Sequence, residues 1–205
     1  DRIVDSTCTT LITCNGTHRG DKPILMKPVA DQAMTDADAQ MDVEVETCIV
    51  VERVKAEGDF AVDMQQGRDF WWHDLMASAD AECPCEEMDA EDPLFILYTS
   101  GSTGKPKGVQ HTTGGYMVYT ATTHKHVFDY QDGDIYFCAA DIGWVTGHSY
   151  IIYGPMANGA TTLMFEAIPT YPNPDRYWQT IEKWEVNQFY TAPTAIRAIA
   201  AAGEQ

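Results

Sequence analysis

Short runs of apolar, β-branched residues between polar turns predict strands in the first half of the chain. Residues 8–13 and 45–51 have this pattern, which is typical of buried strands. The segment between them contains a turn-rich, charged stretch and then residues 31–46, which are acidic and of helical character. Residues 68–76 carry three aromatic side chains that can anchor a helix on a core by one face.

The pattern becomes sharper after residue 92, where apolar runs alternate with helical stretches. Asn173 followed by Pro174 is typical of a helix start. Strands that alternate with helices favour an α/β layered domain with a largely parallel sheet. The predicted strands are 94–98, 135–139, 160–165 and 188–191. The predicted helices run from 112 or 113 to about 123, from 147 to about 156, from 173 to about 184 and from 194 to about 202.

Composition supports a folded and strongly acidic molecule. The chain has 205 residues, of which 44% are hydrophobic and 11% aromatic, enough for a packed core in a domain of ordinary size. Thirty-one acidic residues against 13 basic ones give a net charge of −18. Because such a surface repels phosphate backbones and anionic lipid heads, we expect neither nucleic acid nor a membrane as a partner.

Cysteines and the longest uncharged segment favour a reduced, cytoplasmic protein. Residues 142–165 carry no formal charge but contain four glycines and a proline, so we expect no membrane-spanning helix there. The six cysteines are scattered and predict free thiols. Cys83-Pro-Cys85 is a weak zinc signal and is interpreted as a loop. The chain begins at Asp1 without the pattern of a signal peptide.

The segment from Thr99 to Gly108 has the composition of an anion-binding loop. It contains four hydroxyls, three glycines and two lysines and follows directly on an apolar strand. Glycines let backbone N–H groups converge on phosphate oxygens, while hydroxyls and lysines add donors and charge. It is not a Walker-type loop, because Lys105 is followed by Pro106, which lacks an N–H.

Residues 98–109, Tyr-Thr-Ser-Gly-Ser-Thr-Gly-Lys-Pro-Lys-Gly-Val, resemble the phosphate-loop signature of adenylate-forming enzymes. This superfamily comprises acyl-CoA synthetases, luciferases and peptide-synthetase adenylation domains. Four further segments, 89–97, 111–116, 140–150 and 190–197, are similar to the AMP-forming acetyl-CoA synthetases, and the resemblance runs from Asp1 to Gln205.

The resemblance implies a fold and a reaction. The fold is part of the N-terminal domain of an adenylate-forming enzyme, a mixed, mostly parallel sheet flanked by helices. Acetate attacks the α-phosphate of ATP to give acetyl-adenylate and pyrophosphate, and the thiol of coenzyme A then displaces AMP. Mg²⁺ would arrive with the nucleotide, since the histidines show no recognised ligand spacing.

The resemblance also implies roles for particular residues. Lys22 stands where the family has an Arg, Ala167 where it has a Gly, and Thr170 where it commonly has an Asn. The ATP phosphates would be held by Thr99, Ser100, Gly101, Ser102, Thr103, Gly104, Lys105 and Lys107. The acetate pocket would be lined by Trp144, Val145 and Thr146, and coenzyme A would be bound by Arg19, Lys22, Thr146 and Thr170.

By the same resemblance, residues 1–205 form an internal piece of the large N-terminal domain. The adenine- and ribose-binding segments, and the C-terminal domain with the catalytic lysine, would lie beyond Gln205. We therefore expect the chain to need the remainder of its own polypeptide for activity. Two alternatives stay open: a propionyl- or other short-chain acyl-CoA synthetase, and, if the chain is complete, a non-catalytic nucleotide-binding module.

Overall fold

The chain folds into two compact units in a computed structural model that describes residues 1–99, 104–166 and 168–203. The first unit comprises residues 1–86 and 98–108, and the second comprises residues 87–97 and 109–205.

The first unit is built on a parallel sheet in which β4 lies between β1 and β5. Ile49 of β4 is in register with Ile12 on one side and Phe70 on the other. β2 and β3 form a separate antiparallel hairpin. The elements are α1 Arg2–Ser6, β1 Thr10–Cys14, β2 Gly16–Arg19, β3 Lys22–Leu25, α2 Lys27–Met41, β4 Thr47–Val51, a 3₁₀ turn Gly58–Phe60, β5 Asp69–Trp71 and α3 Trp72–Ser78.

The core of this unit lies against the central strand. Cys48 and Val50, which alternate along β4 with less buried residues, are fully buried and pack with Met34 of α2 and with Val45. The period of two places these β4 side chains on one face of the sheet, the face that α2 covers.

A buried network of charges joins α2 to β5. Lys27 is 1% exposed, and its Nζ lies 2.6 Å from Asp31 Oδ1 and 2.7 Å from Asp69 Oδ2. Arg68 donates from Nε to Asp69 Oδ1 at 2.6 Å and from Nη2 to Asp31 Oδ1 at 2.7 Å. Burial alone would raise the pKa of Asp69, but hydrogen bonds from Arg68 and Lys27 outweigh it and lower that pKa to about 2. The carboxylate is therefore held in its charged form.

The second unit contains another parallel sheet, in which β8 lies between β10 and β9. β6 pairs with β7, and each of these strands contributes residues to both units. The elements are β6 Pro93–Thr99, β7 Lys107–Thr112, α4 Thr113–Val127, β8 Ile135–Cys138, α5 Val145–Gly147, a π-helix His148–Tyr153, α6 Gly154–Ala157, β9 Thr161–Leu163, α7 Arg176–Lys183, β10 Gln188–Tyr190 and α8 Pro193–Gly203.

Both faces of β8 are buried. Tyr136 and Cys138 pack with Ile151 of the π-helix on one side. Phe137 points the other way and packs with Tyr177 of α7 and Ile199 of α8. A strand buried on both faces is what a continuous apolar run predicts.

The α/β class and the parallel sheets are confirmed, and the strands predicted at 8–13, 45–51, 94–98, 135–139, 160–165 and 188–191 are present with shifted ends. No helix among the described residues is long and apolar enough to cross a membrane.

Several predicted boundaries are wrong. Residues 68–76 are not one helix, because Asp69–Trp71 pairs with β4 before α3 begins. The helix predicted at 31–46 spans Lys27–Met41. Asn173 is not an N-cap, since α7 begins at Arg176 with Asp175 in that position. The helix predicted at 147–156 starts at Val145 and runs through a π-helical stretch.

Candidate functional site

The phosphate-loop prediction is centred on the connection between β6 and β7. β6 starts at Pro93, where the missing N–H breaks no sheet pairing, and ends at Thr99, which is exposed. Ser100, Gly101, Ser102 and Thr103 lie outside the described residues. Gly104 has a φ of +80°, a conformation that favours glycine, and Lys105 and Lys107 are exposed. Hydroxyl and ammonium groups at both ends of the loop are thus accessible to an anion.

The end of β6 is fixed to α1. The Tyr98 hydroxyl donates a hydrogen bond to Asp5 Oδ2 at 2.7 Å, and this bond raises the pKa of Tyr98. The bond fixes the residue that immediately precedes Thr99.

Lys105 lines a groove of about 870 Å³ in the first unit. The groove runs along α1 and α2, and its wall includes the cation of Arg2 and the carboxylates of Asp5 and Asp36. Arg2 lies outside any sequence motif and was not predicted as a site residue. The acidic residues make this groove a mixed surface, so the anion-binding prediction depends on Lys105 and the loop rather than on the groove as a whole.

Arg19 and Lys22 are brought together by the β2–β3 hairpin. They form the pair in register nearest the turn, in which Gly20 has a φ of +62°. Both side chains are exposed. Like charges directly opposite each other on two strands repel, and a bound anion would relieve that repulsion. The end of the hairpin therefore presents two cations to solvent, with the carboxylate of Asp21 in the turn between them.

Trp144, Val145 and Thr146 lie at the start of α5, after a tight turn. Asp141 closes the turn, because its Oδ1 accepts from Gly143 N at 2.8 Å and its carbonyl accepts from Trp144 N at 3.2 Å. Trp144 is 68% exposed and Val145 44% exposed, so large apolar surfaces are available to a ligand.

Gly147 lets this turn close. A Cβ built at this position would lie 2.4 Å from the Asp141 carbonyl oxygen and 2.6 Å from Ile142 Cα. Both neighbours are backbone atoms and cannot move aside as a flexible side chain could. The close approach of residues 141–142 to α5 therefore requires glycine.

Thr170, the remaining residue predicted for coenzyme A, is half-buried in the turn that precedes α7. It belongs to the second unit together with Thr146, whereas Arg19 and Lys22 belong to the first.

No group of three or more potential His, Cys, Asp or Glu ligands forms a metal site within residues 1–99, 104–166 and 168–203. His124 is buried, and burial lowers its pKa, while its Nδ1 lies 3.1 Å from Asn158 Nδ2. Its Nε2 has no hydrogen-bond partner among the described residues. This histidine is part of the core, as are its neighbours Tyr130 and Tyr136.

Comparison with known proteins gives matches over the whole chain. The family model described as AMP-binding enzyme matches residues 1–205. The chain is 60% identical over 205 residues to the acetyl-coenzyme A synthetase of Desulfatibacillum aliphaticivorans. It is 58% identical over 204 residues to acetyl-coenzyme A synthetase 2 of Pseudomonas aeruginosa, and 57% identical over 203 residues to the acetyl-coenzyme A synthetase of Rhizobium meliloti. These matches cover 99–100% of this chain and 30% of each relative, so the chain spans about a third of their length.

Proposed function

Because the chain belongs to the family of AMP-binding enzymes, we propose that the protein containing it is an acetate–CoA ligase that uses ATP and releases AMP. The observation that carries this proposal is the 60% identity to an acetyl-coenzyme A synthetase over all 205 residues. The family match over residues 1–205 also supports the assignment of both units to one nucleotide-binding domain.

The reaction has two steps. In the first, an acetate oxygen attacks the α-phosphorus of ATP, the bond to the β-phosphate oxygen breaks, and pyrophosphate leaves. In the second, the sulfur of coenzyme A attacks the acetyl carbon, the bond to the AMP oxygen breaks, and the thiol proton is lost to solvent or a base. Both steps bring anions together, so positioning and charge stabilisation are the main tasks of the protein.

The loop after β6 would stabilise the negative charge of the ATP phosphates in the first step. Backbone N–H groups near Gly104, the hydroxyl of Thr99 and the ammonium groups of Lys105 and Lys107 are the donors that a departing pyrophosphate needs. Ser100, Gly101, Ser102 and Thr103 are proposed to complete this grip.

Trp144 and Val145 would line the acetate pocket, with the Thr146 hydroxyl near the reacting carbon. One additional methylene changes binding by only about 1–3 kcal/mol, so preference for acetate over propionate requires a wall that closes the pocket. The exposed indole of Trp144 is suited to provide part of that wall.

Arg19, Lys22, Thr146 and Thr170 are the residues proposed for binding coenzyme A. The paired cations of Arg19 and Lys22 suit its 3′-phosphate, and Thr146 and Thr170 would lie near its thiol-bearing arm. Lys22 acts there as a point charge rather than as a bidentate donor.

Mg²⁺ is proposed to enter with ATP. The described residues offer no cluster of protein ligands for this ion, and Mg²⁺ is usually bound through substrate phosphates and water. The small molecules acetate, ATP and coenzyme A are the proposed partners, together with the remainder of the polypeptide. A cytoplasmic location is proposed from the scattered spacing of the six cysteines, which is not that of a disulfide framework.

The experiment that tests this function is exchange of labelled pyrophosphate into ATP by the complete protein. We expect exchange that depends on acetate, followed by formation of acetyl-CoA when coenzyme A is added. A complete protein that exchanges pyrophosphate with propionate but not with acetate would refute the acetate assignment and support the short-chain alternative.

A further inference from the structure

Phe95 of β6 lies at the centre of a cluster of aromatic rings in the second unit. Among the described residues, its ring contacts His111 of β7 at 4.8 Å, Tyr116 of α4 at 4.9 Å, His148 at 5.1 Å and Tyr153 at 5.6 Å between centroids. We call these residues the Phe95 cluster. The cluster brings together two strands, α4 and the π-helix, so its rings are held from several elements at once.

One member of the cluster, His148, holds the backbone at the proposed acid pocket. The backbone N–H of His148 and its ring Nδ1 both lie 3.1 Å from the carbonyl oxygen of Trp144. A carbonyl oxygen can only accept, so Nδ1 must carry a hydrogen in this arrangement. The orientation of the imidazole therefore sets the peptide unit that leads into Val145.

The backbone that follows is a π-helix, His148–Tyr153, a conformation found mostly in short stretches and often at functional sites. Phe95 touches its first and last residues, since its ring also stacks on Tyr153 with an interplanar angle of 13°. The π-helix is also held by the buried hydrogen bond, 2.7 Å long, between the hydroxyls of Tyr116 and Ser149. The imidazole is thus fixed by ring packing on one side and by the Trp144 carbonyl on the other.

We propose that Phe95 is a positioning residue for the acid pocket: it holds the His148 ring in place, and His148 in turn orients Trp144, Val145 and Thr146. Neither Phe95 nor His148 needs to touch the substrate. The inference rests on the proposed function, because the pocket is identified by that function.

The test compares two phenylalanines of the same unit in the complete protein. Phe128 is also half-buried and also contacts aromatic rings, those of His124, Tyr136, Tyr150 and Tyr190. Phe95→Leu and Phe128→Leu remove the same atoms and similar ring contacts. Only the first of these changes lies beside His148.

The measurement is pyrophosphate exchange with acetate, propionate and butyrate, together with the KM for ATP. For Phe95→Leu we expect kcat/KM for the preferred acid to fall about tenfold, while the KM for ATP stays constant. The kcat/KM values for acetate, propionate and butyrate should become more similar to one another. For Phe128→Leu we expect the ratios of kcat/KM for the three acids to stay as in the wild type, even if the free energy of unfolding falls.

A second pair of variants tests the link through His148. His148→Asn keeps a donor near the position of Nδ1 but lacks the ring on which Phe95 packs, and it is expected to lose less selectivity than His148→Leu. His148→Leu removes the donor and is expected to behave like Phe95→Leu.

Equal changes in selectivity for Phe95→Leu and Phe128→Leu, or unchanged selectivity for His148→Leu, would overturn the inference while leaving the proposed function intact. A wild type that prefers an acid other than acetate would refute the proposed function, yet the comparison of variants on the same acids would still decide the role of Phe95. A complete protein that activates no acid would overturn both.

Discussion

At the scale of single residues, Lys105 is the cation for which the loop makes the sharpest prediction. It is exposed and directly follows Gly104, which has a positive φ. For Lys105→Gln we expect kcat/KM for ATP to fall about 10- to 100-fold, because a hydrogen bond to a charged group is worth roughly 1.5–3 kcal/mol.

Lys183→Gln provides the matched control for this change. Lys183 lies in the last turn of α7, with its Nζ 5.0 Å from the ring of Trp184. In steady-state kinetics of the complete protein, Lys183→Gln should have a kcat/KM for ATP close to that of the wild type. An equal loss in both variants would show that general charge, rather than the loop, attracts ATP.

Asp69 makes a prediction about stability and pH. Its pKa in the folded protein is about 2, below the ordinary value near 3.8, so its ion pairs stabilise the fold above pH 4 and this contribution is lost as the pH falls from about 4 toward 2. Asp69→Asn leaves Asp31 as the carboxylate that Lys27 and Arg68 share, and the lost charged hydrogen bonds are expected to reduce the free energy of unfolding by about 1.5–3 kcal/mol.

The exposed pair of Lys55 and Glu57 is the control for Asp69. Their side chains are 78% and 67% exposed, and the pair is separated by 2.8 Å. Glu57→Gln should cost less than about 1 kcal/mol in the same denaturant titrations. Should Asp69→Asn prove equally mild, the buried network would not be a main source of stability in this unit.

At the scale of secondary structure, the β2–β3 hairpin combines a cost in stability with a proposed function. Arg19 and Lys22 face each other across it, and directly opposed like charges destabilise a strand pair by roughly 0.2–1 kcal/mol. We expect Lys22→Gln to raise the melting temperature of the complete protein without ligand and to raise the KM for coenzyme A.

Dephospho-coenzyme A separates these two effects. It lacks the 3′-phosphate, so its KM should be the same for the wild type and for Lys22→Gln. A variant that loses affinity equally for both forms of the coenzyme would contradict the phosphate role of Lys22.

The sequence predicted those elements that have a clear apolar pattern. β4 and β8 were found because apolar runs form their buried centres. β7 was missed because it is mostly exposed and polar, and β2 and β3 were missed because four-residue strands with charged ends look like a turn. These strands form because each pairs with a neighbouring strand, and such pairing cannot be predicted from the local sequence pattern alone.

The same limit applies to the candidate site. The loop and the Trp144 segment are contiguous in sequence, so their residue types and the resemblance sufficed to predict them. The Phe95 cluster joins residues up to 58 positions apart, from Phe95 to Tyr153, and no local motif carries it. Lys27 gave no sequence signal either, since a lysine is ordinarily expected at the surface.

At the scale of the whole molecule, the chain covers 30% of the length of the relatives that it matches. Several apolar side chains are largely exposed, among them Ile12 at 59% and Met164 at 72%. We propose that other parts of the complete protein cover some of these side chains. We expect the 205 residues alone to give no acetate-dependent pyrophosphate exchange, whereas the complete protein does.

Both proteins should be assayed at equal concentration, with circular dichroism to establish that the shorter chain is folded. Exchange by the folded 205-residue chain would show that it contains a sufficient catalytic site.

Gly147 has a consequence for how this protein can vary. Because a Cβ there meets backbone atoms at 2.4 and 2.6 Å, even alanine, the smallest replacement, cannot be accommodated without moving the turn. In a saturation mutagenesis library selected for growth on acetate, this codon should stay fixed. The neighbouring codon for Val145, whose side chain is 44% exposed, should drift among small apolar residues. Substitutions that change the acid preference are therefore expected at Val145 and not at Gly147.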